Sequence, residues 1–173
     1  MKPRDQDDLQ KWHFLAQVPY RDAEHPEIIR RAAALRVAAA GRPCCFAQLA
    51  HALVRDCISY VRDIQRTGAE DIAGFSREPT ERDAVDALER GRDDCDAKAR
   101  LFVALCLAGD LMARMRPLWR WSPEHQAERL AHVSAEVFLD NRWWPVETIL
   151  ARARLGDEPE QVPKEINTGR WRH

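Results

Sequence analysis

The sequence predicts an α+β chain in which helices come first and an antiparallel sheet follows. Three observations carry that expectation. Phe46, Leu49, Ala50, Leu53, Val54, Cys57, Ile58 and Val61 recur at helical spacing and define an amphipathic helix. After Gly109 the period drops to two: Leu111, Ala113, Met115, Pro117, Trp119 and Trp121 alternate with a mostly basic set. Asp140-Asn141, with the chemistry of a tight turn, then joins two further alternating runs, Leu130 to Leu139 and Arg142 to Ile149. Helices followed by hairpin-linked strands give an α+β layering and not alternating βαβ units.

Residues 1–25 are polar and punctuated by proline, and read as an arm laid on the domain through Trp12, Phe14 and Leu15. Pro26 suits the first turn of a helix over Glu27 to Ala40, because the missing N–H is needed by no partner there. Gly41 is placed to cap it. On the next helix Cys57 falls on the apolar stripe as a small packing residue, and His51 falls off it as a surface histidine. Gly68 to Pro79 reads as a loop. Thr80, with Asp83 three residues on, caps a short helix that turns Ala84, Val85 and Leu88 inward and ends at Gly91.

A further helix starts at Asp93 or Asp94 and runs to Ala108, with Gly109 as its C′ residue. Ala99, Phe102, Val103, Leu105 and Cys106 form its apolar side, making Cys106 another packing thiol. Pro117 marks the first strand as an edge or a bulge. In the second strand Ala131, Val133, Ala135, Val137 and Leu139 share a face. Trp119, Trp121, Trp143 and Trp144 gather around the sheet as core packing. The tail from Ala151 reads as an irregular wrap with a helical turn over 150–155. One domain is expected over 1–173, with its core at about 44–150.

Composition narrows the function. With 45% hydrophobic and 32% charged residues the chain is globular, and a net charge of −1 removes the electrostatic case for nucleic acid or an anionic membrane. No apolar run approaches the roughly 20 residues of a membrane helix. The N-terminus lacks the apolar core of a signal peptide, so a cytoplasmic location is expected. The five cysteines (Cys44, Cys45, Cys57, Cys95 and Cys106) show no CxxC spacing. That pattern disfavours a disulfide framework and a zinc site; Asp93, Asp94 and Asp96 lack a calcium-loop spacing. No cofactor and no metal are expected.

Cys95 begins a predicted helix, where unpartnered amides and the helix dipole favour a thiolate and can hold an oxyanion. The Cys95 N–H is itself a candidate oxyanion donor. If Asp140-Asn141 is a two-residue loop, Leu139 pairs with Arg142, Ala135 with Val146, Ser134 with Glu147 and His132 with Ile149. His132 and Glu147 then share a face as diagonal neighbours, about 7–8 Å apart in backbone, within reach of two extended side chains. A carboxylate there would fix the imidazole tautomer and stabilise its charged form.

These residues resemble the transglutaminase-like superfamily. Asp94-Cys95-Asp96 at a helix start, with the apolar run to Gly109-Asp110, is similar to that family's nucleophile helix. His132-Val133-Ser134-Ala135-Glu136-Val137-Phe138-Leu139 and Asp140 to Thr148 resemble its histidine and acidic strands. Ile58 to Asp63 resembles the helix before the nucleophile in small bacterial and phage members, with Tyr60 as a second oxyanion candidate. The chain departs from the family pattern at Asp93, where Gly is usual, at Ala97, where Asp is common, and at Glu147, where the acid is usually Asp. The resemblance implies a papain-like core and a Cys95, His132, Glu147 triad. It implies acyl transfer from a peptide or protein amide through a thioester, to water or an amine. The alternative from another class is a noncatalytic binding or assembly module that keeps the fold, of phage or prophage origin.

Overall fold

The computed structural model describes residues 3–61 and 83–159. The expected Gly68–Pro79 loop and the Thr80 cap lie outside those residues, as does the chain beyond 159. The first helices are α1 (Gln6–Leu15), α2 (Val18–Asp22), α3 (Pro26–Ala38) and α4 (Pro43–Cys57), followed by β1 (Ser59–Tyr60). After them come α5 (Asp83–Arg90), β2 (Arg92–Asp93), α6 (Cys95–Ala108), β3 (Ala113–Ser122), β4 (Ala127–Leu139) and β5 (Arg142–Val146). Helices precede a three-stranded antiparallel sheet of order β3–β4–β5, so the architecture is α+β; β1 and β2 form a short parallel pair.

Helix α6 is the centre of the core. Every residue from Ala97 to Cys106 is buried, as expected of a helix with neighbours on all sides. Helices α2, α3, α4 and α5 pack against it, and β3 and β4 cover another face. The sequence suggested one apolar side; the structure also buries Lys98 and Arg100. Each charge is matched. The Arg100 guanidinium holds the equally buried Asp22 carboxylate in a two-point contact, with Nη2 to Oδ1 at 2.8 Å. The Lys98 ammonium donates to the carbonyls of Ile58 and Arg55 at the C-terminal end of α4, where a positive charge is favoured. Burial pulls the Lys98 amine down to about 8.

The sheet carries the predicted hairpin. Asp140 and Asn141 have φ of 50° and 60°, the left-handed pair a type I′ turn requires. Leu139 pairs with Arg142 and Ala135 with Val146. Strand β3 is an edge, which accommodates Pro117. One irregularity matters. Leu118 pairs with His132 but Trp119 pairs with Leu130, so Ala131 is the extra residue of a bulge. The bulge turns Leu130 into the core and leaves Ala131 exposed, reversing the face expected for Ala131.

Other expectations need correction. The N-terminal arm is helical: Leu15 is buried, Trp12 packs on the core and Phe14 is exposed. Helix α4 ends at Cys57, and Ser59–Tyr60 turns into a strand paired with Arg92–Asp93. Its buried stripe is Phe46, Ala47, Ala50, His51 and Val54, rotated from the predicted one. Cys57 and Leu49 are exposed and His51 is buried. The alanines explain the rotation, because small side chains let α4 approach α6 while the leucines flank the contact. Trp119 and Trp144 pack on the core, whereas Trp121 is exposed and Trp143 lies under the Arg114 guanidinium. Gly109 has φ −91°, so it is not a left-handed cap; Asp110 takes that conformation at φ 61°. A Cβ at Gly109 would lie 2.3 Å from the Phe46 ring, so close packing is what requires glycine.

Candidate active site

Cys95 is the first residue of α6, and the elements before it explain why the helix starts there. Asp94 is extended and its Oδ1 accepts the Ala97 N–H at 3.0 Å, an N-cap that fixes the helix origin one residue before the sulfur. Asp93 Oδ1 accepts the Asp94 N–H at 3.0 Å, and its Oδ2 lies 3.6 Å from the Arg90 guanidinium. Asp93 and Asp94 are thereby engaged in pairing and capping. Tyr60 pairs with Asp93 across the β1–β2 bridge, and the Val61 N–H donates to the Asp93 carbonyl at 2.9 Å. Tyr60 is therefore on a strand two residues from the level of the sulfur, and not on a helix.

His132 follows the Ala131 bulge in β4. Its Nε2 lies 2.8 Å from Glu147 Oε2, the contact the shared-face reasoning anticipates. Glu147 is 1% exposed. Its second oxygen, Oε1, accepts the Ile149 N–H at 2.9 Å, which aims the carboxylate by tying it to its own chain. The β4–β5 ladder ends at Ala135–Val146, so Glu147 stands just past β5, and the expected extension to Ile149 is not strand. With Nε2 committed to the carboxylate, Nδ1 is the ring nitrogen that can serve a thiol.

One cleft brings the parts together. Cys95 and Asp96 from α6, Leu130 to Val133 from β4, and Lys11 and Leu15 from α1 line it. The bulge is pinned from α1 as well: Asp8, buried, accepts the Leu130 N–H at 2.9 Å and the Arg129 Nε–H at 2.6 Å. Among the described residues, no group of His, Cys, Asp and Glu side chains assembles as a metal site. The other thiols differ in setting: Cys44 and Cys57 are exposed, and burial pushes the Cys106 thiol well up.

The contribution of α1 and of His51 was not read from the sequence. His51 Nε2 lies 2.7 Å from the Glu147 carbonyl oxygen. Its signal was present, since Ala47, Ala50, His51 and Val54 themselves follow helical spacing. The larger leucines of the neighbouring stripe outweighed it.

The family model for the transglutaminase-like superfamily matches residues 31–148. No curated protein sequence matches the chain. Among solved structures, a candidate protease from Parabacteroides distasonis is similar at 14% identity and TM-score 0.54, over 77% of this chain and 25% of that one. The periplasmic domain of TgpA from Pseudomonas aeruginosa is similar at 14% identity and TM-score 0.51, over 76% of this chain and 46% of that one. This chain therefore spans less than half the length of either structure. Their likeness is one of fold, an α+β papain-like core. With more than half of its residues inside the family model, this chain belongs to the transglutaminase-like superfamily.

Proposed function

We propose that the chain is a cysteine-dependent acyl-transfer enzyme that opens peptide or isopeptide (glutamine-type) amides, with Cys95 as nucleophile, His132 as base and Glu147 as the group that orients the base. The observation that carries this reading is the 2.8 Å contact between His132 Nε2 and the buried Glu147 carboxylate, on a histidine that lines the same cleft as Cys95. A carboxylate at Nε2 keeps the proton there and leaves Nδ1 as the acceptor.

In the reaction His132 takes the Cys95 thiol proton, and the thiolate attacks the amide carbonyl carbon. The oxyanion so formed is held by first-turn amides of α6, beginning with the Cys95 N–H, at the helix end where the dipole is positive. Tyr60 is the second proposed donor. The C–N bond breaks as the imidazolium gives its proton to the departing amine, leaving a thioester. Water, deprotonated by His132, attacks next; the C–S bond breaks, the acid leaves and the proton returns to sulfur. Both Cys95 and His132 are partly exposed, so water reaches the thioester, and hydrolysis is the proposed outcome with an amine acceptor as the variant.

The test is the alkylation rate of each cysteine followed by mass spectrometry near pH 6, well below an ordinary thiol pKa of about 8.5. Cys95 should react fastest, ahead of the exposed Cys57 and Cys44, and His132→Ala should remove the advantage. Equal rates at Cys95 and Cys57, unchanged by His132→Ala, would defeat the proposal. A reactive Cys95 that turns over no amide in a peptide library would favour a noncatalytic binding module.

A further inference from the structure

Glu147 occupies an awkward place for a residue that must aim a carboxylate. It is buried, yet the ladder that orders β5 stops one residue before it. Its carbonyl therefore cannot be satisfied by the sheet, and a buried carbonyl without a donor is strongly disfavoured. The donor comes from another element. His51, 3% exposed on α4, places Nε2 2.7 Å from that oxygen. Because the acceptor is a carbonyl, Nε2 must carry the hydrogen. The ring also stands edge-on to Phe102 of α6, with centroids 6.4 Å apart, so it is wedged between the nucleophile helix and the acid.

We infer that His51 is a positioning residue: its Nε2–H anchors the Glu147 main chain beyond the end of the sheet, and so sets where the carboxylate meets His132. The inference rests on the reading of Glu147 as the group that orients His132. Glu147 is then held at three points: His51 at the carbonyl, Ile149 N–H at Oε1 and His132 at Oε2. Only the first ties the acid to the helical layer that carries Cys95. The charged groups around the ring are Arg55 and Asp56 on its own helix, Glu147 beyond β5, and Lys98 on α6, which faces Asp56 and Glu147. Burial dominates among these influences and keeps the imidazole neutral, the form with one defined N–H.

The experiment compares His51→Leu and His51→Gln in the full chain, reading the pH profile of Cys95 alkylation by iodoacetamide beside the melting temperature. His51→Leu should shift the thiolate limb towards ordinary thiol values and slow the reaction near pH 6 by about tenfold, the scale of one charge-assisted hydrogen bond weakened. His51→Gln, which keeps an N–H at similar reach, should restore the profile even with a lowered melting temperature. A leucine variant that melts earlier but keeps the wild-type profile would reduce His51 to a structural role and overturn the inference. So would a glutamine variant as impaired as the leucine one. Should either variant not fold, nitrogen-detected NMR of the unmutated chain decides. At neutral pH the single ring hydrogen of His51 should sit on Nε2 with Nδ1 bare; a neutral ring that carries its hydrogen on Nδ1 and leaves Nε2 bare overturns the inference. If His132→Ala leaves Cys95 reactivity untouched, the triad reading itself fails, whatever the His51 variants show.

Discussion

Replacing Glu147 by glutamine tests the triad at its most constrained point. The carboxylate accepts two hydrogen bonds at once, from Ile149 N–H at 2.9 Å and from His132 Nε2 at 2.8 Å, and is 1% exposed. A glutamine amide has one acceptor and one donor end. With its oxygen on Ile149 N–H, the NH2 group faces His132 and forces Nε2 to accept, so the ring proton moves to Nδ1 and the nitrogen left for the thiol is no longer a base. With the amide reversed, two N–H groups confront each other at Ile149. Either arrangement loses a charge-assisted hydrogen bond in a buried place, about 1.5–3 kcal/mol, which is roughly 10- to 150-fold in the population of the productive state. The assay is the second-order rate of Cys95 alkylation between about pH 5 and 8, bracketing the ordinary histidine value, with circular dichroism to establish folding. Glu147→Asp, which keeps the charge but shortens the reach by one methylene, should fall between wild type and Glu147→Gln. A folded Glu147→Gln chain that reacts within about twofold of wild type throughout, a difference under 0.5 kcal/mol, refutes the role given to Glu147.

Two further predictions concern stability. Gly109→Ala should lower the melting temperature although φ −91° suits alanine, because its Cβ would stand 2.3–2.9 Å from three atoms of the buried Phe46 ring. The expected cost is about 1–3 kcal/mol, or roughly 2–9 °C at this chain length, and Phe46→Leu should relieve it; a raised melting temperature in the wild-type background would refute the steric reading. Lys98 supplies a pH dependence. Its folded pKa of about 8 lies below the ordinary lysine value of 10.5, so between those values the unfolded chain binds a proton that the folded chain does not. The Lys98 contribution to stability should therefore rise with pH across that window, by up to about 1.4 kcal/mol per pH unit. In denaturant titrations the wild type should gain stability relative to Lys98→Met as pH rises through that window, and a difference that stays constant with pH would show that the folded state does not lower the amine's pKa.

Much of the fold is legible because it depends on local periodicity. The switch from helical to alternating spacing after Gly109, the Asp140-Asn141 turn and the start of α6 behind its Asp94 cap are all decided by residues within a few positions of each other. The contact between His132 and Glu147 was also within reach, since a two-residue loop sets the register and register sets the face. What could not be read is which side of a helix faces the most crowded neighbour. His51 and Lys98 look like surface residues by type; a carbonyl past the end of β5 and the open end of α4 make each of them interior.

The sequence alone determined that helices precede an antiparallel sheet and fixed the register of the Asp140-Asn141 hairpin, because backbone preference and side-chain alternation act over short distances. Tertiary structure alone decided that α6 is buried on every side, that α1 forms a wall of the cleft, that Ala131 bulges, and that a second histidine holds the acid's main chain. Those outcomes depend on which buried polar groups lack a local partner, and that demand is met only by groups brought from distant parts of the chain.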